Sequence, residues 1–192
     1  MSHFGVEFEE ILIPFNDDAG NPEFREFSPT GKVPTLVDGD LTVWESLAIL
    51  EYLADRFPEN VFWPQDIKSR ALARAAAHEM HGGFSSLRSE CPMNIRRTIR
   101  AIPVSDGVRR DVERVEALWS DCLDRSGGPF LFGDFSIADA MFAPVVNRLE
   151  IYELSGHSAV AAYSDAMKRL DAWKRWEKAA RAEPWIVPAD EA

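Results

Sequence analysis

The sequence predicts an α+β unit followed by an all-helical unit, and three observations predict it. Two short β-prone runs, Thr35-Leu36-Val37 and Leu41-Thr42-Val43-Trp44, flank Asp38-Gly39-Asp40 as the arms of a hairpin. The second run passes directly into Glu45-Ser46 and the helical run Leu47 to Leu53. Beyond residue 66 no strand signal recurs, and apolar residues repeat with helical spacing. At 192 residues, 46% hydrophobic and 28% charged, the chain can hold one or two small domains and bury a real core.

The first unit spans residues 1–57. Val6 to Ile13 reads as a strand, with Val6, Phe8 and Ile11-Leu12-Ile13 set against Glu7, Glu9 and Glu10, and Pro14 ends it. Asn16 to Phe27 is polar and carries Gly20 and Pro22, which predicts a loop with a short helical turn at Glu23 to Phe27. Pro29 and Gly31 make a second loop, and Gly39 supplies the positive φ of the hairpin turn. Val33-Pro34 stands where the first arm begins. A proline entering a sheet after a Gly-containing loop is a candidate for a cis bond, while spacing alone favours a trans proline opening an edge strand. Glu45-Ser46 opens a helix, whose free N–H groups and dipole favour an anion while the Glu carboxylate can take an ammonium, a pair suited to an α-amino acid head. A helix cap with a solvated Glu is the commoner use of such residues. The helix is predicted to run to Arg56, bury Leu47, Leu50, Ala54 and Phe57, and stop before Pro58.

A connector, residues 58–66, leads to a helical unit over 67–192. Ser69 to Glu90 predicts a long helix weakened at Gly82-Gly83, and Pro92 and Pro103 bracket an irregular basic segment. Asp106 to Ser126 predicts a helix with Val112, Val115, Trp119 and Cys122 on one face, closed by Gly127-Gly128-Pro129. Ser136-Ile137-Ala138-Asp139 is a capping box before the apolar run Ala140 to Leu149. Helices over Ser158 to Arg169 and Asp171 to Ala182 close the chain, with Trp173 and Trp176 packing inward.

Charge and cysteine usage narrow the function. The net charge is −11, and residues 1–57 hold 12 acidic against 3 basic side chains, so nucleic acid is not an expected partner. An anionic ligand would have to be recognised by local donors. Cys91 and Cys122 fit neither a disulfide framework nor a zinc site and point to a reducing compartment, the cytoplasm. No run is apolar enough to span a membrane, and the opening residues, with His3, Glu7, Glu9 and Glu10, lack the basic flank and apolar core of a signal peptide. His78 and His81 stand at i and i+3, where a zinc protease needs i and i+4, so no metal is expected. Arg96, Arg97 and Arg100 form a compact basic cluster, either a solvated helix face or a contact for an anionic tail or a second subunit. Cys91 reads as an inert buried thiol in the absence of an activating neighbour.

Gly31-Lys32-Val33-Pro34 and Glu45-Ser46, linked by the hairpin, resemble the glutathione-binding half of the glutathione S-transferase family, and Glu79 to Phe84 with Pro92-Met93-Asn94 looks like a bacterial branch of it. The resemblance implies a thioredoxin-like first domain with a cis Pro34, and a helical second domain. It implies that Val33 pairs through its backbone with the cysteinyl part of glutathione. Glu45 and Ser46 would hold the γ-glutamyl head, and Lys32 would lie near the glycyl end. Glutathione would be a co-substrate whose thiolate attacks a hydrophobic electrophile, with His78, His81, Phe84 and Arg88 as candidates facing that electrophile. Isomerisation of a maleyl-type acid would use the same pocket, the non-catalytic alternative is a transferase-like module that scaffolds or regulates through its helical domain, and a homodimer is the expected assembly. Asp139 should brace Ser136 in the family's buried capping box. The family's first strand, most of its first helix and the catalytic Tyr, Ser or Cys that follows that strand have no counterpart in this sequence, about 25 residues at usual element lengths, and Met1 to Gly5 looks like the tail of that helix. The expectation is therefore a truncated domain with an opened sheet and weak or absent activity.

Overall fold

The computed structural model describes residues 1–15 and 21–191, so the loop expected across residues 16–20 lies outside the described residues. The chain divides into two compact units, Met1–Val61 with Pro184–Ala189, and Phe62–Glu183 with Asp190–Ala192.

The first unit is built on the hairpin. Strands β1 (Thr35–Asp38) and β2 (Leu41–Trp44) pair antiparallel in the register Thr35↔Trp44, Leu36↔Val43, Val37↔Thr42 and Asp38↔Leu41. Gly39 takes φ +62° in the turn between them, a value at which a side chain would be strained. Ahead of the hairpin lies the four-residue helix α1 (Phe24–Phe27), and behind it α2 (Ser46–Arg56). Tyr52 on α2 donates its hydroxyl to Asp38 Oδ2 at 2.7 Å, and Arg56 Nε stands 3.7 Å from the same oxygen, so the helix grips the turn end of the hairpin.

Two expectations fail in this unit. Val6 to Ile13 forms no strand: among the described residues the sheet has two strands, β1 and β2, and Phe8, Ile11 and Leu12 are exposed. Alternation of apolar and acidic residues supplies β propensity, but a strand exists only when a neighbour pairs its backbone groups. On α2 the buried residues are Leu47, Ile49 and Leu53, with Leu50, Ala54 and Phe57 half-buried, so the inward face is rotated from the one spacing suggests.

The second unit is all helical. It contains α3 (Ile67–Gly82), α4 (Ser85–Glu90), α5 (Asp106–Ser126), α6 (Ile137–Ile151), α7 (Ser158–Arg169) and α8 (Asp171–Ala182). The helix α6 is its centre, buried nearly all round through Ile137, Met141, Phe142, Val145, Val146 and Leu149. On α3, Ala73, Ala76 and Ala77 are buried, small side chains that let it lie close against α6. On α5, Val108, Val112, Val115, Trp119 and Cys122 face the core. Trp119 meets Phe142 and Tyr163 edge-on, with ring centroids 5.6 and 4.6 Å away. Trp173 is buried, whereas Trp176 is 38% exposed and rests edge-on against Trp173. That departs from the expected inward pair, because two positions three apart on a helix straddle its boundary with solvent.

The long helix expected over Ser69 to Glu90 is two helices. Gly83 is extended (φ −110°, ψ −168°), and a Cβ there would sit 2.5 Å from the carbonyl oxygen of Glu79. Phe84 follows at φ +54°, and α4 restarts with Leu87 N donating to Asp111 Oδ2 at 2.9 Å from α5. Arg114 on α5 forms a two-pronged ion pair with Glu79, at 2.6 and 2.8 Å, just before the break. Arg96, Arg97 and Arg100 lie on irregular backbone, not on a helix face.

Candidate functional site at the open end of the hairpin

The register of the hairpin decides which residues meet. Because Thr35 pairs with Trp44, the residues just before Thr35 and just after Trp44 emerge side by side at the end opposite Gly39. Those residues are Lys32, Val33 and Pro34 on one arm and Glu45 and Ser46 on the other. The Val33-Pro34 bond is cis, against the expectation from spacing and in line with the family pattern. Thr35 Oγ1 donates to Lys32 O at 3.3 Å across this corner. Val33 is 48% exposed, and Lys32 and Pro34 are exposed with it.

Glu45 carries the least expected feature of the site. Its backbone stands at φ +69°, ψ +124°, a conformation that a residue with a Cβ rarely adopts, while its carbonyl accepts Ile49 N at 3.0 Å to close the first turn of α2. Its side chain does not cap the helix. Strained backbone of this kind concentrates at binding sites, where the surrounding fold holds a side chain in a pose it would not choose alone. Ser46 begins the helix, so its N–H and those of Leu47 and Ala48 have no acceptor within α2, and the positive end of the helix dipole opens beside the Glu45 carboxylate. A zwitterionic α-amino acid head complements both: ammonium to Glu45, carboxylate to the helix start.

The residues expected to face an electrophile lie in the helical unit. His78 is exposed, its Nδ1 2.8 Å from Arg74 O. His81 is half-buried, and its carbonyl accepts Arg88 Nη1 at 2.8 Å. Arg88 is exposed, while Phe84 is buried, its ring 6.3 Å from that of Phe142. Among the described residues no group of three or more His, Cys, Asp or Glu side chains is arranged to hold a metal ion. No described helix is long and apolar enough to cross a membrane.

Residues 1–56 match the family model "Glutathione S-transferase, N-terminal domain", and residues 96–179 match "Glutathione S-transferase, C-terminal domain". The chain belongs to the glutathione S-transferase family. Similar relatives include Glutathione S-transferase 1 of Dianthus caryophyllus, 29% identical over 90% of this chain and 78% of that protein. Another is the maleylacetoacetate isomerase of Rattus norvegicus, 26% identical over 88% and 80%. Among solved structures, a glutathione transferase homologue from Burkholderia gl BGR1 with bound glutathione superposes with a TM-score of 0.71 at 24% identity, covering 95% of this chain and 88% of that one. The fold is accordingly the transferase's thioredoxin-like domain followed by its helical domain.

Within that fold the capping box is structural. Asp139 is fully buried and accepts hydrogen bonds from Leu131 N, Ser136 N, Ser136 Oγ and Tyr163 Oη, at 3.0, 2.8, 3.0 and 3.0 Å. Burial pushes its carboxyl upward, against the pull of those four donors. The tyrosines and cysteines are all accounted for elsewhere. Tyr52, Tyr152 and Tyr163 donate to Asp38, to Pro92 O and to Asp139. Cys91 and Cys122 are buried and free, and burial raises both thiols, Cys122 to about 11 with help from Asp121. Sequence reasoning named Glu45 but missed its strained backbone, and it missed the Tyr163 clasp and Arg148, whose Nε donates to Cys91 O at 2.9 Å. Arg148 had a signal, the one basic side chain of α6.

Proposed function

We propose that the chain binds glutathione at the open end of the hairpin and presents its thiol to a hydrophobic electrophile. The observation that carries the reading is the pairing of the exposed Val33-Pro34 corner with the strained Glu45 at the start of α2, held together by the Thr35↔Trp44 register. In this reading the Val33 backbone pairs with the cysteinyl peptide group. The Glu45 carboxylate takes the γ-glutamyl ammonium, Ser46 and the first amides of α2 take its carboxylate, and Lys32 lies near the glycyl carboxylate. The thiolate then attacks an electrophilic carbon, forming the S–C bond as the leaving group departs with its electron pair. His78, His81, Phe84 and Arg88 remain the candidates for shaping the electrophile's surroundings. A homodimer in the cytoplasm fits the family pattern and the two free cysteines.

A second reading is a transferase-like module that binds glutathione without turning it over. It is favoured by the hydroxyls of Tyr52, Tyr152 and Tyr163, each already donated to an acceptor of the protein, and by the burial of both thiols, Cys91 and Cys122. Turnover separates the two. With glutathione and an activated aryl chloride, a transferase forms the thioether faster than the uncatalysed reaction, and the Ser46→Ala variant loses that excess. A rate equal to the uncatalysed one, alongside saturable glutathione binding, would establish the module. With a maleyl-type acid as substrate, cis–trans isomerisation without consumption of glutathione would mark the isomerase variant of the same site, a chemistry carried by the name of the rat relative.

A further inference from the structure

The cations of the first unit are few enough to follow one by one. Residues 1–57 hold three Lys or Arg side chains against 12 acids, and these are Arg25, Lys32 and Arg56. Arg56 is committed to the turn of the hairpin through Asp38. Arg25 and Lys32 are exposed, and among the described residues neither forms an ion pair, although Glu23 and Glu26 flank Arg25 in the sequence. Where acids outnumber cations four to one, two cations left without a carboxylate are available to an anion from outside.

The fold brings both to one place. Arg25 lies on α1, whose Phe24 is buried and meets Phe15 edge-on with ring centroids 5.4 Å apart. The loop that follows is stapled to this helix through Ser28, which is buried. Its N–H donates to Phe24 O at 2.8 Å, its carbonyl accepts Gly31 N at 3.1 Å, and its hydroxyl shares a 3.1 Å hydrogen bond with that of Thr30. The chain thereby turns back toward α1, and the Arg25 side chain lies across Gly31. A Cβ on Gly31 would stand 3.3 Å from Arg25 Cγ, 3.6 Å from its Nε and 3.8 Å from its Cζ. Gly31 takes φ +65°, so the missing side chain serves both the turn and the passage of the arginine. Lys32 follows directly, its carbonyl held by Thr35 Oγ1, and the exposed Val33-Pro34 corner comes next.

We propose that Arg25 is a specificity residue of the hairpin site, the group that takes the C-terminal carboxylate of the bound thiol and makes the site selective for a ligand whose carboxylate is free. The inference rests on the glutathione reading, in which Lys32 lies near the glycyl end. Arg25 adds what a lysine lacks, a planar fork whose two parallel N–H donors match the two oxygens of a carboxylate. Its stem is laid against the backbone of Gly31, so little rotamer freedom remains to be lost when the ligand arrives. The bond acts at contact range, well inside the Debye length of about 8 Å at physiological salt. It therefore works in spite of the acidic surroundings and does not depend on the net charge of the unit.

Calorimetric titration of the full chain with reduced glutathione and with its glycyl ethyl ester tests it. The ester keeps the γ-glutamyl head and the thiol and loses only the terminal charge. Glutathione is expected to bind about 10-fold or more tightly than the ester. Arg25→Gln, a surface change that keeps a Cγ against Gly31, should remove most of that preference by weakening glutathione while shifting the ester by less than about 2-fold. Glu45→Ala, by contrast, should weaken both ligands alike, since both carry the γ-glutamyl head. An ester bound as tightly as glutathione overturns the inference, and so does an Arg25→Gln variant that weakens both ligands equally, as a merely structural arginine would. Glutathione binding that Arg25→Gln leaves unaltered also overturns it, and in that outcome the hairpin reading stands. Glutathione that fails to bind the native chain overturns both together.

Discussion

Glu45 is the residue at which fold and function pull apart. Its φ of +69° costs about 1–3 kcal/mol, and glycine, which lacks a Cβ, accepts that region far more readily. Glu45→Gly and Glu45→Ala both remove the carboxylate, but the glycine variant is expected to be about 1 kcal/mol the more stable in urea unfolding. Equal stabilities would mean that the backbone there is unstrained. The cysteines give a second prediction. Cys91 and Cys122 are buried with raised thiols, so iodoacetamide at neutral pH should leave the folded chain unmodified and add two groups after denaturation, as read by intact mass. The Cys122 thiol is raised from 9.0 to about 11 in the folded state, so the folded chain holds that proton more tightly than the unfolded one. Its contribution to stability is complete below pH 9 and is lost as pH rises toward 11. Melting temperatures should fall over that window, and Cys122→Ala should flatten the fall.

At the scale of elements, legibility followed locality. The bounds of α5, α7 and α8 fall where the sequence places them, because Ser105, Gly127 and the polar residues at their ends are local signals. The hairpin end of the candidate site was legible for the same reason: its residues lie within fifteen positions of one another and share one turn. Val6 to Ile13 failed because strand formation depends on a partner elsewhere, and Arg148 went unnoticed because its acceptor, the Cys91 carbonyl, lies 57 residues away just after α4. The break between α3 and α4 lay between the two cases, since Gly82-Gly83 announced a weakness without saying how far the chain would turn. At Gly83 a methyl group would meet the Glu79 carbonyl oxygen at 2.5 Å, so Gly83→Ala should destabilise by about 2 kcal/mol while Gly82→Ala, with open space at its Cβ, should not. Tyr163→Phe, which withdraws one of the four donors to Asp139 and loosens α7 from the start of α6, should cost about 1–2 kcal/mol in chemical denaturation. A loss below a few tenths would show that the clasp between the two helices does not form.

The whole molecule brings together a strongly acidic first unit and an almost neutral helical one, yet the ligand proposed for the first unit is itself an anion at neutral pH. Long-range attraction would not favour such binding, which in the proposed reading comes from the Val33-Pro34 corner, the Glu45 carboxylate and the amides at the start of α2. Recognition by fixed local donors has a consequence in salt: affinity should change little between low and physiological ionic strength, where steering by net charge would be screened. The most direct measurement is a calorimetric titration of the chain with reduced glutathione, beside Glu45→Ala and Ser46→Ala variants confirmed to be folded. A site at the open end of the hairpin predicts saturable binding weakened about 10-fold or more by each substitution, more strongly by the loss of Glu45. No glutathione binding, or binding indifferent to both substitutions, would contradict it.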